Sequence, residues 1–160
     1  MSPERFIDLV RAEQESLRRF LLALCGGDSQ EADDIAQDAL VRAYVASGSF
    51  LGLSKFSTWL FRIAYNCWVD YHRKVRPDMV STENPQALNV PATDETDASF
   101  RYQQLYAALD ALPEKEKATI VLHYFEDLSI KEIAAILQIP SGTVKYYLSV
   151  GRTHLKSRLQ

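Results

Sequence analysis

Cysteine is nearly absent from this chain: its 160 residues hold two, Cys25 and Cys67, which are not spaced as CxxC. Both lie in apolar helical patterns, which points to buried free thiols rather than a disulfide or a thiolate metal site. Histidine is as sparse, with His72, His123 and His154 scattered, so no metal constellation and no cofactor is implied. No nucleophile stands beside a base, no carboxylates pair in an apolar pattern and no phosphate loop occurs, which argues against an enzyme. No apolar run approaches the roughly 18 residues that cross a bilayer. The opening MSPERFIDLVRAEQ spreads charge through its apolar positions, unlike a signal peptide, so a cytoplasmic address is expected.

Excess positive charge is missing too. The formal charge of −3 argues against a chain that coats nucleic acid by bulk charge. The distribution says more than the sum. Basic and acidic residues stand at ten to ten over 1–76, one to five over 77–101 and seven to six over 102–160, so the acid is concentrated in the middle. After Glu132 no carboxylate occurs.

That carboxylate-free end organises the rest. Ser129 followed three residues on by Glu132 is a capping box, in which each residue bonds an otherwise unpaired backbone N–H at a helix start. Ile130, Ile133, Ala134 and Leu137 keep helical spacing, and Ile139-Pro140 stops the run. Ser141 is placed to cap a second helix. There Val144, Leu148, Leu155 and Leu159 form an apolar stripe, with Lys145, Ser149, Arg152 and Lys156 on an adjacent one. Two short helices joined by a tight turn, the second carrying the cations, is the layout of a DNA-reading helix-turn-helix. On this stretch alone the alternative is an ordinary helical hairpin with a solvated basic face.

In the N-terminal half, Phe6, Leu9, Val10, Leu17, Phe20, Leu21 and Leu24 predict a long amphipathic helix ended by Gly26-Gly27. Asp28 with Glu31 is a second capping pair, opening a helix whose first turns carry Asp33, Asp34 and Asp38 around Gln37. Helix-dipole electrostatics explains some of this acid. The excess would also make a docking face for a basic helix. Residues 46–55 read as a loop and about 57–76 as a third helix, with Trp59, Leu60, Ile63, Ala64, Cys67 and Tyr71 on its buried face. Phe61, Tyr65 and Trp68 lie off that face beside Arg62, Asn66, His72, Arg73 and Lys74. Exposed, such rings and cations would suit a single nucleic-acid strand, the rings stacking bases and the cations holding the backbone. The other reading is that a further helix covers them.

Residues 77–101, with three prolines and five acids, read as a flexible acidic linker. Helical spacing returns with Leu105, Ala108, Leu109 and Leu112, and Pro113-Glu114 opens another helix carrying Ile120, Val121, Tyr124 and Phe125. The expectation is an all-α chain of two small domains, 1–76 and 102–160, joined by the 77–101 linker.

With both halves placed, the sequence resembles the extracytoplasmic-function sigma factors, the minimal members of the sigma-70 class. The resemblance rests on ADDIAQDALVRAY and WLFRIAYNCWVDYHRK in the first half, and on LPEKEKATIVLHYFEDLSIKEIAAILQIPSGTVKYYLSVGRTHL in the second. It implies a three- to four-helix region 2 domain and a helix-turn-helix region 4 domain. Asp33, Asp34, Gln37 and Asp38 would dock on core RNA polymerase. The helix at 57–76 and the loop before it would hold the melted minus-ten strand. There the motif positions are Asn66, Asp70 and Arg73, beside the Arg62, Tyr65 and Lys74 of the aromatic and basic reading. Ser141, Thr143, Lys145, Tyr146, Ser149, Arg152 and Lys156 would read the minus-35 element or its phosphates. The resemblance also implies an anti-sigma partner, commonly membrane-anchored. Against the family pattern, Gln138 replaces a glycine at a left-handed turn, and Gly151 replaces an alanine within the recognition helix, at a cost of about 1 kcal/mol each. A stand-alone helix-turn-helix regulator is the competing reading and a helical adaptor without nucleic acid a third. Neither gives the 57–76 motif a purpose.

Overall fold

The computed structural model describes residues 1–75 and 97–159, so most of the expected linker lies outside the described residues. Helix α1 (Pro3–Leu24) opens with the Ser2 side chain accepting from the Arg5 N–H and with Pro3 where a missing donor costs nothing. It ends on Gly26 and Gly27, at φ +65° and +88°, a backbone that glycine adopts without strain. Their N–H groups donate to Ala23 and Leu22. Asp28 then caps α2 (Ser29–Val45), accepting from the Glu31 N–H as its spacing predicts. A short 3₁₀ turn, Ser47–Ser49, lies within the expected loop, and α3 (Phe56–Val75) follows. Leu60, Ala64 and Cys67 of α3 are buried with Phe20, Leu21 and Leu24 of α1 and Ala32, Ile35 and Ala39 of α2.

The chain resumes in α4 (Asp97–Asp110), which starts five residues inside the stretch read as linker. Helix α5 (Glu114–Ile120) has Pro113 at its N-cap rather than inside its first turn. It passes into a π turn, Val121–Phe125, in which the Glu126 N–H donates to Val121, five residues back. The turn closes through Asp127 at φ 56° and a Leu128 N–H bonded to the Leu122 carbonyl. Helix α6 (Ile130–Leu137) then begins with the complete Ser129–Glu132 capping box, both bonds 3.1 Å, and ends on Gln138 in the left-handed region. Helix α7 (Ser141–Leu159) departs from expectation at its start. Pro140 supplies the carbonyl that Thr143 and Val144 donate to, and Ser141 is the first helical residue rather than the cap.

Gly151 also differs in meaning. A Cβ there would lie 2.9 Å from Cγ1 and 3.1 Å from Cδ1 of Ile120, so the glycine admits α5 against α7 rather than merely weakening a helix. The core does not stop between the halves. Phe20, Trp68, Ile120, Ile133 and Leu148 belong to one buried cluster that joins α1–α3 to α5–α7.

Candidate nucleic-acid interface

Three faces carry the residues singled out in the sequence. On α7, Val144, Leu148 and Gly151 are buried while Ser141, Lys145, Tyr146, Ser149, Arg152 and Lys156 are exposed and Thr143 is half-buried. The apolar and basic stripes thus separate as their spacing predicts, although Leu159, at the far end of the apolar one, is 49% exposed. Arg152 is oriented: its Nη1 donates to the Tyr124 hydroxyl at 3.0 Å. No acid stands on α7 beside its exposed cations, an arrangement that attracts phosphate.

On α2, Asp33, Asp34, Gln37 and Asp38 are all exposed. Asp33 pairs with Arg18 at 3.1 Å and Asp38 with Arg42 at 3.2 Å. Asp34 and Gln37 hold no ion pair among the described residues and, with exposed Val41, share one side of the helix.

On α3 the set divides. Asn66, Asp70, Arg73 and Lys74 are exposed, with Asp70 paired to Arg42 at 3.1 Å. Arg62 and Tyr65 are turned inward instead. The Arg62 Nε donates to the Ala135 carbonyl of α6 at 3.1 Å. Tyr65 is 5% exposed and Trp68 1%. Burial, with Glu114 adding to it, pushes the Tyr65 hydroxyl up to about 12. Of the two readings of these aromatics, the covered one holds: Phe61 stacks on Phe20 with centroids 5.2 Å apart, and the second half of the chain closes over Tyr65 and Trp68.

Comparison with known proteins finds two family models along the chain. Sigma-70 region 2 matches residues 9–77 and Sigma-70 region 4 matches residues 102–155. The ECF RNA polymerase sigma factor SigW of Bacillus subtilis is 36% identical, over 98% of this chain and 90% of its own. This chain belongs to the extracytoplasmic-function sigma factors. The sigma-E factor of Escherichia coli is 32% identical over 82% of this sigma factor and 75% of its own length. Among solved structures, the sigma factor RpoE of Bartonella quintana, in complex with the anti-sigma factor NepR, superposes with a TM-score of 0.79 at 24% identity. It covers 98% of this chain and 97% of that one, so the likeness in fold extends across both halves. CnrH, in complex with the cytosolic domain of CnrY, gives 0.76 at 23% identity, over 99% and 89%.

Sequence reasoning missed the residues that join the halves. Lys117 is 6% exposed, and its Nζ donates to the Leu24 carbonyl at 2.9 Å and to Asp110 at 3.1 Å. It also lies 4.9 Å from the Trp68 ring centroid. The signal was available: Lys117 stands three and four residues before buried Ile120 and Val121, on the apolar side of its own helix. Arg19 and Glu126 form a two-bond ion pair at 2.8 and 2.9 Å, and nothing local in the sequence links positions 107 residues apart. No group of described residues could hold a metal ion, and no described helix is long and apolar enough to cross a membrane.

Proposed function

We propose that this sigma factor binds core RNA polymerase through α2 and directs it to promoters, α3 holding the melted minus-ten strand and α7 reading the minus-35 duplex. The observation that carries the reading is the presence, on one chain, of both sigma-70 regions with opposite charge on their exposed faces. Acid on α2 suits a basic protein surface. The cation stripe of α7 suits DNA, where phosphate contacts give affinity and register while contacts to base edges give specificity. Tyr65, Asn66, Arg62, Asp70, Arg73 and Lys74 are assigned to the minus-ten strand. Ser141, Thr143, Lys145, Tyr146, Ser149, Arg152 and Lys156 are assigned to the minus-35 duplex. The protein acts as an initiation factor, not a catalyst, in the cytoplasm where polymerase and chromosome lie. An anti-sigma partner, soluble or membrane-anchored, is part of the same reading, since one solved neighbour is a complex with an anti-sigma factor and the other a complex with the cytosolic domain of CnrY. On this reading the chain divides into 1–76 and 102–160 on either side of 77–101, a stretch whose last five residues already belong to α4.

The deciding experiment transcribes fragmented genomic DNA with sigma-free core polymerase, with and without this chain, and sequences the new RNA 5′ ends. New starts that share two upstream elements at fixed spacing establish the function. Duplex binding without polymerase, at paired half-sites, would instead favour a stand-alone regulator. Asp34→Arg should abolish most polymerase association while leaving the helical circular dichroism spectrum unchanged. Undiminished association would remove Asp34 from the docking face.

A further inference from the structure

Helix α7 keeps its charge off the side that points furthest from the core. At about 3.6 residues per turn, Gly142, Tyr146, Ser149 and Thr153 fall opposite the buried row of Val144, Leu148 and Gly151. All four are exposed and none is charged. Lys145, Arg152 and Lys156 stand together on one flank of this row, where the Tyr124 hydroxyl holds Arg152 at 3.0 Å. The other flank, Thr143, Tyr147, Val150 and His154, carries no lysine or arginine, and His154 there brings its Nδ1 to the Glu116 carboxylate at 2.7 Å.

The uncharged row is not explained by packing within the chain. Tyr146 is 62% exposed and leans on the half-buried Tyr147 with ring centroids 5.8 Å apart, so a large aromatic is presented to the outside. Gly142 has no left-handed backbone, and a Cβ there would meet nothing within 4 Å. Its missing side chain serves the close approach of another molecule to the first turn of the helix. The Thr153 hydroxyl donates back to the Ser149 carbonyl at 3.2 Å, so its methyl group is what it has left to offer.

A recognition helix meets base edges along its outward side and phosphates along its flanks. Guanine edges are read by Arg or Lys, adenine by Asn or Gln and cytosine by Asp or Glu, and the outward row of α7 holds none of these. Apolar contact selects the C5 methyl group of thymine.

We propose that Tyr146 is the specificity-determining residue of α7 and that it reads a thymine, packing its ring against the C5 methyl group, while Lys145, Arg152 and Lys156 clamp phosphates to one side. This rests on the minus-35 reading given above and adds the class of base to it. The duplex is selected by carbon and held by charge, two tasks that fall to two different rows of one helix.

The test uses holoenzyme formed from sigma-free core polymerase and the full chain, with a duplex carrying the minus-35 element that the 5′-end sequencing defines. Each thymine of the element, on either strand, is replaced in turn by deoxyuridine, which removes the C5 methyl group and leaves the pairing edge intact. One position should lose about fourfold in affinity, the worth of one buried methyl group. Tyr146→Ala should bring that ratio to one, and Tyr146→Phe should keep it. Lys156→Ala should weaken both duplexes alike and leave the ratio in place. Each comparison is between two duplexes on one protein, so a variant that folds poorly lowers both values and still reports the contact.

An element without thymine, a deoxyuridine series with no weakened position, or a weakened position that Tyr146→Ala leaves unchanged would overturn the proposal. So would loss of the ratio in Tyr146→Phe, which would assign the contact to the hydroxyl. New starts without any shared upstream element would instead overturn the promoter reading on which the proposal rests.

Discussion

Arg152 shows how one side chain on α7 is prepared for the duplex contact proposed for that helix. Tied to the Tyr124 hydroxyl, it has fewer rotamers to lose, which would lower the ordering cost of the proposed contact with DNA. Lys145 has no such tether among the described residues and acts as a mobile charge. Lys145→Ala should weaken minus-35 duplex binding and lower the slope of log K against log salt by about one, as one lost phosphate contact does. Core polymerase association should stay unchanged, and equal loss of both activities would displace the recognition helix from α7. Gly151 makes the opposite kind of point. Helix propensity alone predicts that Gly151→Ala stabilises by about 0.5–1 kcal/mol. Its Cβ would press on Ile120 in the tight α5–α7 contact, so the expected sign is reversed, with a loss of about 1–3 kcal/mol in denaturant unfolding.

Among the elements, α6 depends most on its ends. Its capping box depresses the Glu132 carboxyl, chiefly through the Ser129 backbone N–H, with burial opposing and Lys55 assisting. A group held more acidic in the native state stabilises fully above its unfolded value, about 4.3 for glutamate, and that contribution is lost as pH falls through the carboxylate range. The urea midpoint should therefore fall on acidification in this window, and Glu132→Gln should remove that part of the slope. These caps were legible in the sequence because they depend on residues three apart: Asp28 with Glu31, Ser129 with Glu132, and the glycines after Leu24 all stand where local chemistry puts them. The left-handed backbone at Gln138 was legible only through the family resemblance, which places a glycine there. What escaped was non-local. The π turn after α5 has no local residue signature, and it sends Tyr124 toward α7 and Glu126 toward α1. Helix α3 is apolar over so much of its circumference that periodicity could not say whether solvent, DNA or another helix met Tyr65 and Trp68. Lys117, which the sequence reading did not single out, is buried at the contact between the halves.

For the whole molecule, a buried cluster continuous from α1 to α7 predicts that the two regions do not melt independently. Calorimetry of the native chain should show one cooperative transition, with matching calorimetric and van't Hoff enthalpies. Arg19→Glu, which breaks the ion pair between the halves, should resolve into two transitions, whereas two in the native chain would show that the seam contributes little to stability. The carbonyl caps that Lys117 and Arg62 supply across that seam have a further consequence, for inheritance rather than for folding. A region 4 transplanted from another sigma factor carries its own promoter preference on its recognition helix. Unless it also brings a cation where Lys117 stands and a carbonyl in reach of Arg62, the hybrid lacks the two helix caps that join the halves. The two halves of this protein are in that sense a matched pair, and recombination that separates them breaks a seam that neither half carries alone.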